Sequence, residues 1–180
     1  MTTPNQEEQG GDGLPLSCQC GHISLTTPPL SLFRGLYHCH CTLCQKQSGS
    51  AFGTSLYFPS TSVFPLPKEL EAKLSLYKHS DSESGNTMLN YFCPRCGVRI
   101  MHFGYLKTGE MREMMSFKGG LVDERKLDWA ECKGKHIWTK SAVMPLVKEW
   151  ECYERYPPVQ VKEEEKKKEE VGDGNGDKTK

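Results

Sequence analysis

The chain has 180 residues with 23 basic and 23 acidic side chains, a length that suits one domain with tails. No run approaches the ~20 apolar residues that cross a bilayer, which excludes a protein with a transmembrane helix. The first residues lack the basic and apolar regions of a secretory signal. We therefore expect a cytoplasmic protein, with the nucleus as the alternative because a lysine run lies near the end of the chain.

Short alternating stretches dominate the sequence between two polar ends. Residues 1–13 and 159–180 cannot bury enough apolar surface to fold, so we expect disordered tails around a domain at 14–158. One short helix is predicted at 42–47, closed by Gly49. Strands are predicted at 22–26, 36–40, 55–58, 74–78, 88–93, 98–103, 114–118 and 136–140. The sequence thus predicts a mostly β single domain.

Nine cysteines are many for a chain expected in a reducing compartment, where cysteine clusters indicate metal binding or catalysis more often than disulfides. Close pairs would make strained disulfide rings, and the odd total leaves one thiol over. Cys132 and Cys152 stand alone, and we interpret them as small buried or inert residues rather than nucleophiles. The other seven form three groups: Cys18 and Cys20; Cys39, Cys41 and Cys44; Cys93 and Cys96.

The first and third groups have the form of zinc knuckles. A glycine follows the second cysteine of each pair, where a positive φ lets backbone N–H groups point at sulfur. A proline inside the third group fixes a tight turn. Two such halves make a closed four-cysteine site. We therefore predict a structural zinc held by Cys18, Cys20, Cys93 and Cys96.

The middle group has three cysteines and no obvious fourth. Three protein ligands with an open fourth position are typical of a catalytic zinc. Cys39 and Cys41 would face one side of a strand, and Cys44 would close the tripod from the first turn of the helix. The alternative is a second structural site completed by His22, His38, His40, His102, Cys132 or Cys152, although His38 and His40 should face the other side of the strand.

An open three-cysteine zinc site is suited to binding a small thiol. Three thiolates leave Zn²⁺ with a net charge of −1, which disfavours hydrolysis, whereas a soft, sulfur-rich site accepts a further thiolate. The abundant thiol in a reducing compartment is glutathione, whose sulfur can add to formaldehyde. The charge of four thiolates would be neutralised by backbone N–H groups at 44–50 or by Lys46.

Polar residues beside the cysteines are candidate contacts for the carboxylates of glutathione. Ser48, Gly49 and Ser50 can offer hydroxyl and backbone N–H groups, although the same residues can simply end the helix. Arg95 and Arg99 flank the third cysteine group and can attract carboxylates, but most arginines on a β surface are solvated or locally paired.

Three segments together resemble the glutathione-dependent formaldehyde-activating (GFA) family, which includes centromere protein V. They are Cys18-Gln19-Cys20-Gly21, His38-Cys39-His40-Cys41-Thr42-Leu43-Cys44 with Ser48-Gly49-Ser50, and Phe92-Cys93-Pro94-Arg95-Cys96-Gly97. The resemblance covers roughly residues 16–138. It implies a β-tent fold, a structural zinc on the residues of the first and third groups, and a catalytic zinc on Cys39, Cys41 and Cys44. It also implies a carbon–sulfur lyase that interconverts S-hydroxymethylglutathione with glutathione and formaldehyde.

Three candidate functions follow. The first is a carbon–sulfur lyase of this type, with two zinc ions per chain and glutathione as cosubstrate. The second is a non-catalytic zinc-binding interaction or chromatin-associated module. The third is a methionine sulfoxide reductase, which would need a reactive Cys132 or Cys152.

Scattered lysines and arginines disfavour a nucleic-acid partner, and a zinc deaminase would need an H-x-E motif that is missing. Residues 121–135 form a longer, more charged connection than the family usually has.

Overall fold

The computed structural model describes residues 12–123 and 126–158. The predicted disordered tails lie outside this range apart from Asp12 and Gly13. Two α-helices are present in the described residues, α1 (Thr42–Ser48) and α2 (Lys68–Glu71). The strands are β1 (Pro15–Ser17), β2 (Ser24–Thr26), β3 (Gly35–Cys39), β4 (Gly53–Pro59), β5 (Ser75–His79), β6 (Thr87–Phe92), β7 (Arg99–Tyr105), β8 (Met114–Lys118) and β9 (Lys135–Ile137).

The prediction of a mostly β single domain is confirmed, and each of the eight predicted strands overlaps an observed one. The last differs most, because the predicted strand at 136–140 ends after Ile137. Trp138 adopts a left-handed conformation with φ of 59° and the next residues form a 3₁₀ turn. Strand β1 and helix α2 were not predicted from the sequence. They have three and four residues, too few to repeat the pattern of a strand or of a helix.

Seven strands form one sheet in the order β5-β6-β7-β8-β4-β3-β9. Strands β3 and β9 pair in parallel, and the other neighbours in the sheet are antiparallel. Strands β1 and β2 form a separate antiparallel pair. Residues 151–155, which follow β9 in the chain, run alongside this strand at the edge of the sheet. The Tyr153 N–H donates to the His136 carbonyl at 2.8 Å, and the Trp138 N–H donates to the Arg155 carbonyl at 3.0 Å.

The main hydrophobic core lies on one face of the central strands. Leu56 and Phe58 of β4 pack there with Met115 and Phe117 of β8, all of them almost fully buried. The β1–β2 pair covers this face and contributes further buried side chains, including Leu16. Side chains alternate along a strand, so the intervening residues of β4 and β8 point to the opposite face, which is polar.

No helix within residues 12–123 and 126–158 has the length and apolar character needed to cross a membrane.

Candidate metal centres

Two groups of cysteines come together in the fold. The first joins the loop after β1 to the turn between β6 and β7, and its sulfur atoms all lie within 4.8 Å of one another. The Cys20 sulfur is 3.6 Å from that of Cys18 and 3.7 Å from that of Cys93. Cys96 completes the set. The four side chains predicted to form the closed site are therefore adjacent in the structure, although 73 residues separate Cys20 from Cys93.

The geometry of this four-cysteine cluster fits zinc. A tetrahedral ion with Zn–S bonds of ~2.3 Å places its sulfur ligands ~3.8 Å apart, close to the two observed separations. Gly21 and Gly97 have φ of 72° and 71°, so both turns have the conformation expected of a knuckle. The Ile23 N–H donates to the Cys18 sulfur at 3.2 Å, and the Val98 N–H lowers the pKa of the Cys96 thiol to about 6. Backbone donors therefore favour the thiolate form that metal binding needs.

The second group contains the three cysteines around the end of β3 and the start of α1. Cys39 is the last residue of the strand and Cys44 lies in the first turn of the helix. Cys41 is the N-cap of α1, where its sulfur accepts the Cys44 N–H at 3.4 Å, the role usually taken by a serine or aspartate oxygen. The Gln45 side chain fixes this turn by donating to the carbonyls of His40 and Ser141, at 2.7 and 2.9 Å.

The three sulfur atoms also lie within 4.8 Å of one another, and no fourth Cys, His, Asp or Glu of residues 12–123 and 126–158 joins the group. His38 in β3 and His40 directly after it face away, as the alternation along the strand predicts. His40 lies 2.9 Å from His136, between ring nitrogens, and the His38 ring stacks on Trp150. Cys132 and Cys152 belong to neither cluster.

A small cavity of about 70 Å³ opens onto the three-cysteine cluster. Its walls include Tyr57 from β4 and Tyr156 from the segment that follows β9. Burial raises the pKa of Tyr57 well above its ordinary value, so its hydroxyl is a hydrogen-bond donor at neutral pH. Tyr156 packs edge-on against Trp138 at 5.6 Å between ring centroids. Tyr156 was not singled out from the sequence.

Two partly buried cations lie beside the same cysteines. The pKa of the Cys44 thiol lies well below its ordinary value because it accepts hydrogen bonds from the Cys39 and Cys41 thiols and because Lys118 and Arg99 are close. Lys118 ends β8 on the polar face of the sheet, and burial lowers the pKa of its ammonium group to about 8. Positive charge is therefore concentrated where thiolates form.

A β-bulge turns Arg99 toward the cysteines. Tyr91 pairs with Met101 and Phe92 with Arg99, so β7 has one extra residue, Ile100, between these pairs. Without the bulge, Arg99 would point to the same face as Met101, which lies in the hydrophobic core. The bulge instead directs the guanidinium to Asn90, whose side-chain oxygen accepts its hydrogen bond.

The residues predicted to contact glutathione lie at and just after the end of α1. The Ser48 hydroxyl lies 2.8 Å from the Cys44 carbonyl and 3.0 Å from that of Phe52, and Gly49 ends α1 with φ of 60°. These residues therefore close the helix, while Ser48 also lines a larger cavity of about 510 Å³. Arg95 and Lys46 are exposed. Lys118, which the sequence did not single out, takes the position near the thiols that was expected of Lys46.

Comparison with known families gives one match, to the family described as glutathione-dependent formaldehyde-activating enzyme. It spans residues 14–141, more than two thirds of the chain. The resemblance found in the cysteine spacing is thereby confirmed. No match was found among curated proteins. The segment that carries Tyr156 lies beyond the matched residues.

Proposed function

Since the chain belongs to the glutathione-dependent formaldehyde-activating family, we propose that it is a zinc-dependent carbon–sulfur lyase. Its substrate would be S-hydroxymethylglutathione, formed from glutathione and formaldehyde, or a related glutathione–aldehyde adduct. Cys18, Cys20, Cys93 and Cys96 would hold a structural zinc, and Cys39, Cys41 and Cys44 a catalytic one. The domain would extend from residue 14 to residue 158.

The observation that carries this proposal is the difference in ligand number between the two clusters. Four cysteines saturate a tetrahedral metal, whereas three leave a position for a substrate atom. Only the three-cysteine cluster borders the small cavity with Tyr57 and Tyr156. A space of about 70 Å³ suits a sulfur atom and a one-carbon group but not a bulky aldehyde.

The reaction needs no oxidant or reductant. In the direction of synthesis, the thiol sulfur forms a bond to the carbonyl carbon of formaldehyde, the carbon–oxygen π bond breaks, and the thiol proton ends on the oxygen. In the lyase direction, the hydroxyl loses that proton as the carbon–sulfur bond breaks. Zinc at the three cysteines would supply the positive charge that keeps the substrate sulfur as a thiolate.

The side chains of this chain have two tasks in that reaction. Lys118 and Arg99 offset the negative charge of the cysteine sulfurs and of the substrate sulfur. The Tyr57 hydroxyl, which stays protonated because burial raises its pKa, can donate a hydrogen bond to the oxygen of the one-carbon group. Tyr156 forms another wall of the cavity and packs against Trp138.

Glutathione titration of the cobalt-loaded protein tests the assignment of a thiol to the three-cysteine cluster. Glutathione should change the cobalt absorption bands, and S-methylglutathione, which cannot supply a thiolate, should change them far less. The zinc-loaded protein should also accelerate formation of S-hydroxymethylglutathione, and Cys41→Ser should abolish both effects. Equal spectral responses to the two compounds, or no acceleration with formaldehyde present, would favour the non-catalytic interaction module.

A further inference from the structure

We propose that His136 of β9 is a positioning residue for the three-cysteine cluster, and that it acts through the imidazole of His40. Neither imidazole takes part in the reaction described above. The role rests on the proposed function in one respect, the presence of a metal ion at Cys39, Cys41 and Cys44.

The backbone of His40, the residue between Cys39 and Cys41, is fixed on both sides. Its N–H donates to the Ile137 carbonyl at 3.0 Å, and its carbonyl accepts a hydrogen bond from the Gln45 side chain at 2.7 Å. A rotation of this residue would move the two flanking sulfur atoms relative to each other, because they lie on either side of it along the chain. The contacts that fix His40 therefore also fix the separation of two metal ligands.

The imidazole of His40 is a third point of attachment. It is fully buried, and its Nε2 lies 2.9 Å from Nδ1 of His136, which is only 4% exposed. The Val147 N–H donates to the other ring nitrogen of His136, Nε2, at 3.4 Å. Since Nε2 is an acceptor, the His136 ring has its proton on Nδ1 and donates it to His40. A backbone donor from the segment after β9 thus selects the tautomer of His136.

His136 is itself held in place by that segment. Its N–H donates to the Glu151 carbonyl, and its carbonyl accepts the Tyr153 N–H, both at 2.8 Å. Its ring stacks on Trp150 with 5.5 Å between ring centroids. A ring held by backbone hydrogen bonds on both sides and by an aromatic neighbour has little freedom to turn away from His40. It can therefore transmit the position of the sheet edge to the cysteines.

The histidine pair has a cost that packing alone does not explain. His40 Nε2 accepts the hydrogen bond from His136, so the proton of His40 is on Nδ1, and this buried nitrogen has no partner in the described part of the chain. A buried donor without a partner costs free energy, whereas two apolar side chains of similar shape can replace a buried polar pair with little loss of stability. Stability alone would therefore favour phenylalanine at both positions. Orientation of the neighbouring metal ligands gives the pair a reason to be polar.

The test is metal release to a coloured chelator from the protein loaded with two zinc ions. His136→Phe removes the donor and keeps an aromatic ring, so the metal at the three-cysteine cluster should leave roughly tenfold faster. That release is identified as the phase that Cys41→Ser removes. The metal at the four-cysteine cluster is the internal control, because a general loosening of the fold would accelerate both releases. An unchanged rate at the three-cysteine cluster, or equal acceleration at both clusters, would overturn the proposal.

Two further variants separate the hydrogen bond from packing. The amide of His136→Gln can accept from Val147 and donate to His40, so this variant should keep the release rate within about twofold of the original. His38→Phe is the matched control, because His38 is buried on the same face but pairs with the Thr54 hydroxyl at 3.1 Å. It should also stay within about twofold. Acceleration in His38→Phe as large as in His136→Phe would assign the effect to packing and overturn the proposal.

A double-mutant cycle with His40→Phe shows whether the two rings act together. If His136 acts through His40, each single variant should accelerate release by a similar factor, and the double variant should be no faster than the faster single one. Multiplied accelerations would mean independent effects and would overturn the proposal. If His136→Phe does not fold, Val147→Pro removes the N–H donor at a partly exposed position and leaves both rings in place. It should accelerate release from the three-cysteine cluster, and no change would overturn the proposal.

Failure of this role can be told apart from failure of the proposed function. A protein that binds only one metal ion per chain would lose the catalytic site and, with it, both proposals. A protein that shows the His136 effect but does not accelerate S-hydroxymethylglutathione formation would retain the positioning role and lose the lyase. A protein that accelerates the reaction, with metal release unaffected by His136→Phe, would retain the lyase and lose the positioning role.

Discussion

The two cysteine clusters use the same side chain in opposite ways. The four-cysteine cluster draws its members from two turns far apart in the chain and joins the β1–β2 pair to the seven-stranded sheet. The three-cysteine cluster comes from six consecutive residues at one strand–helix junction. A metal at the four-cysteine cluster would link segments that are distant in the chain. A metal at the three-cysteine cluster would link only neighbouring residues, which the backbone already connects. Sequence separation and ligand number therefore support the structural role proposed for the first cluster and the chemical role proposed for the second.

The largest effect should come from Cys93→Ser. This side chain is fully buried, and metal binding contributes ~10 to 16 kcal/mol in small zinc modules, comparable to the whole stability of a domain. We expect loss of the cooperative thermal transition measured by circular dichroism. Cys152→Ser, at an exposed cysteine outside both clusters, is the matched control. A soluble, cooperatively melting Cys93→Ser protein would contradict the structural role.

Cys41→Ser should leave the fold in place and remove one metal. Metal content measured by mass spectrometry should fall from two ions per chain to one, while the β signal in circular dichroism is kept. The cysteine also caps α1, and serine can take over that role, so we expect destabilisation of no more than ~1 kcal/mol from the helix. Loss of both metals would show that the clusters are not independent.

A chelator should remove the two metals at different rates. The three-cysteine cluster has one protein ligand fewer, so its metal should leave roughly tenfold or more faster than the other. The measurement is the time course of metal release to a coloured chelator. Two clearly separated phases should appear, and the fast one should be absent in Cys41→Ser. A single phase carrying both ions would remove the distinction between the clusters.

The smallest effect should come from Gly49→Ala. Gly49 ends α1 with φ of 60°, and nothing lies within 4 Å of the position where a Cβ atom would stand. The cost is therefore backbone strain alone, about 1 kcal/mol, which lowers the melting temperature by a few degrees. Ala51→Gly is a nearby control at a residue outside the helix. A fall of more than ~3 kcal/mol would mean that the end of α1 supports more than its own turn.

The cysteine clusters could be predicted from the sequence because metal coordination requires particular spacings. Knuckle glycines need a positive φ whatever the fold around them, and a C-x-C-x-x-C group brings its sulfurs together within one turn. Alternation along β3 likewise separates the histidines from Cys39 before any tertiary contact is known. These features depend on local chemistry, which a sequence displays directly.

The cations could not be assigned in the same way. Alternation places Arg99 on the face of Met101, and only the bulge at Ile100 moves it to the other face. Lys118 reaches the cysteines because β8 pairs with β4, where Ser55 lies opposite it. Lys46 was the closer lysine in the sequence, but it lies on the exposed side of α1. Strand order and strand irregularities decide such positions, and both arise from the assembled sheet.

The segment after β9 sets a practical limit on how the protein can be divided. The family match ends at residue 141, yet residues 151–155 still pair with β9 and Tyr156 still forms a wall of the small cavity. A recombinant fragment cut at the family boundary would expose the backbone of β9 as a free edge and open the cavity to solvent. Experiments on isolated fragments should therefore keep the chain through Tyr156, and a purification tag is better placed before residue 12.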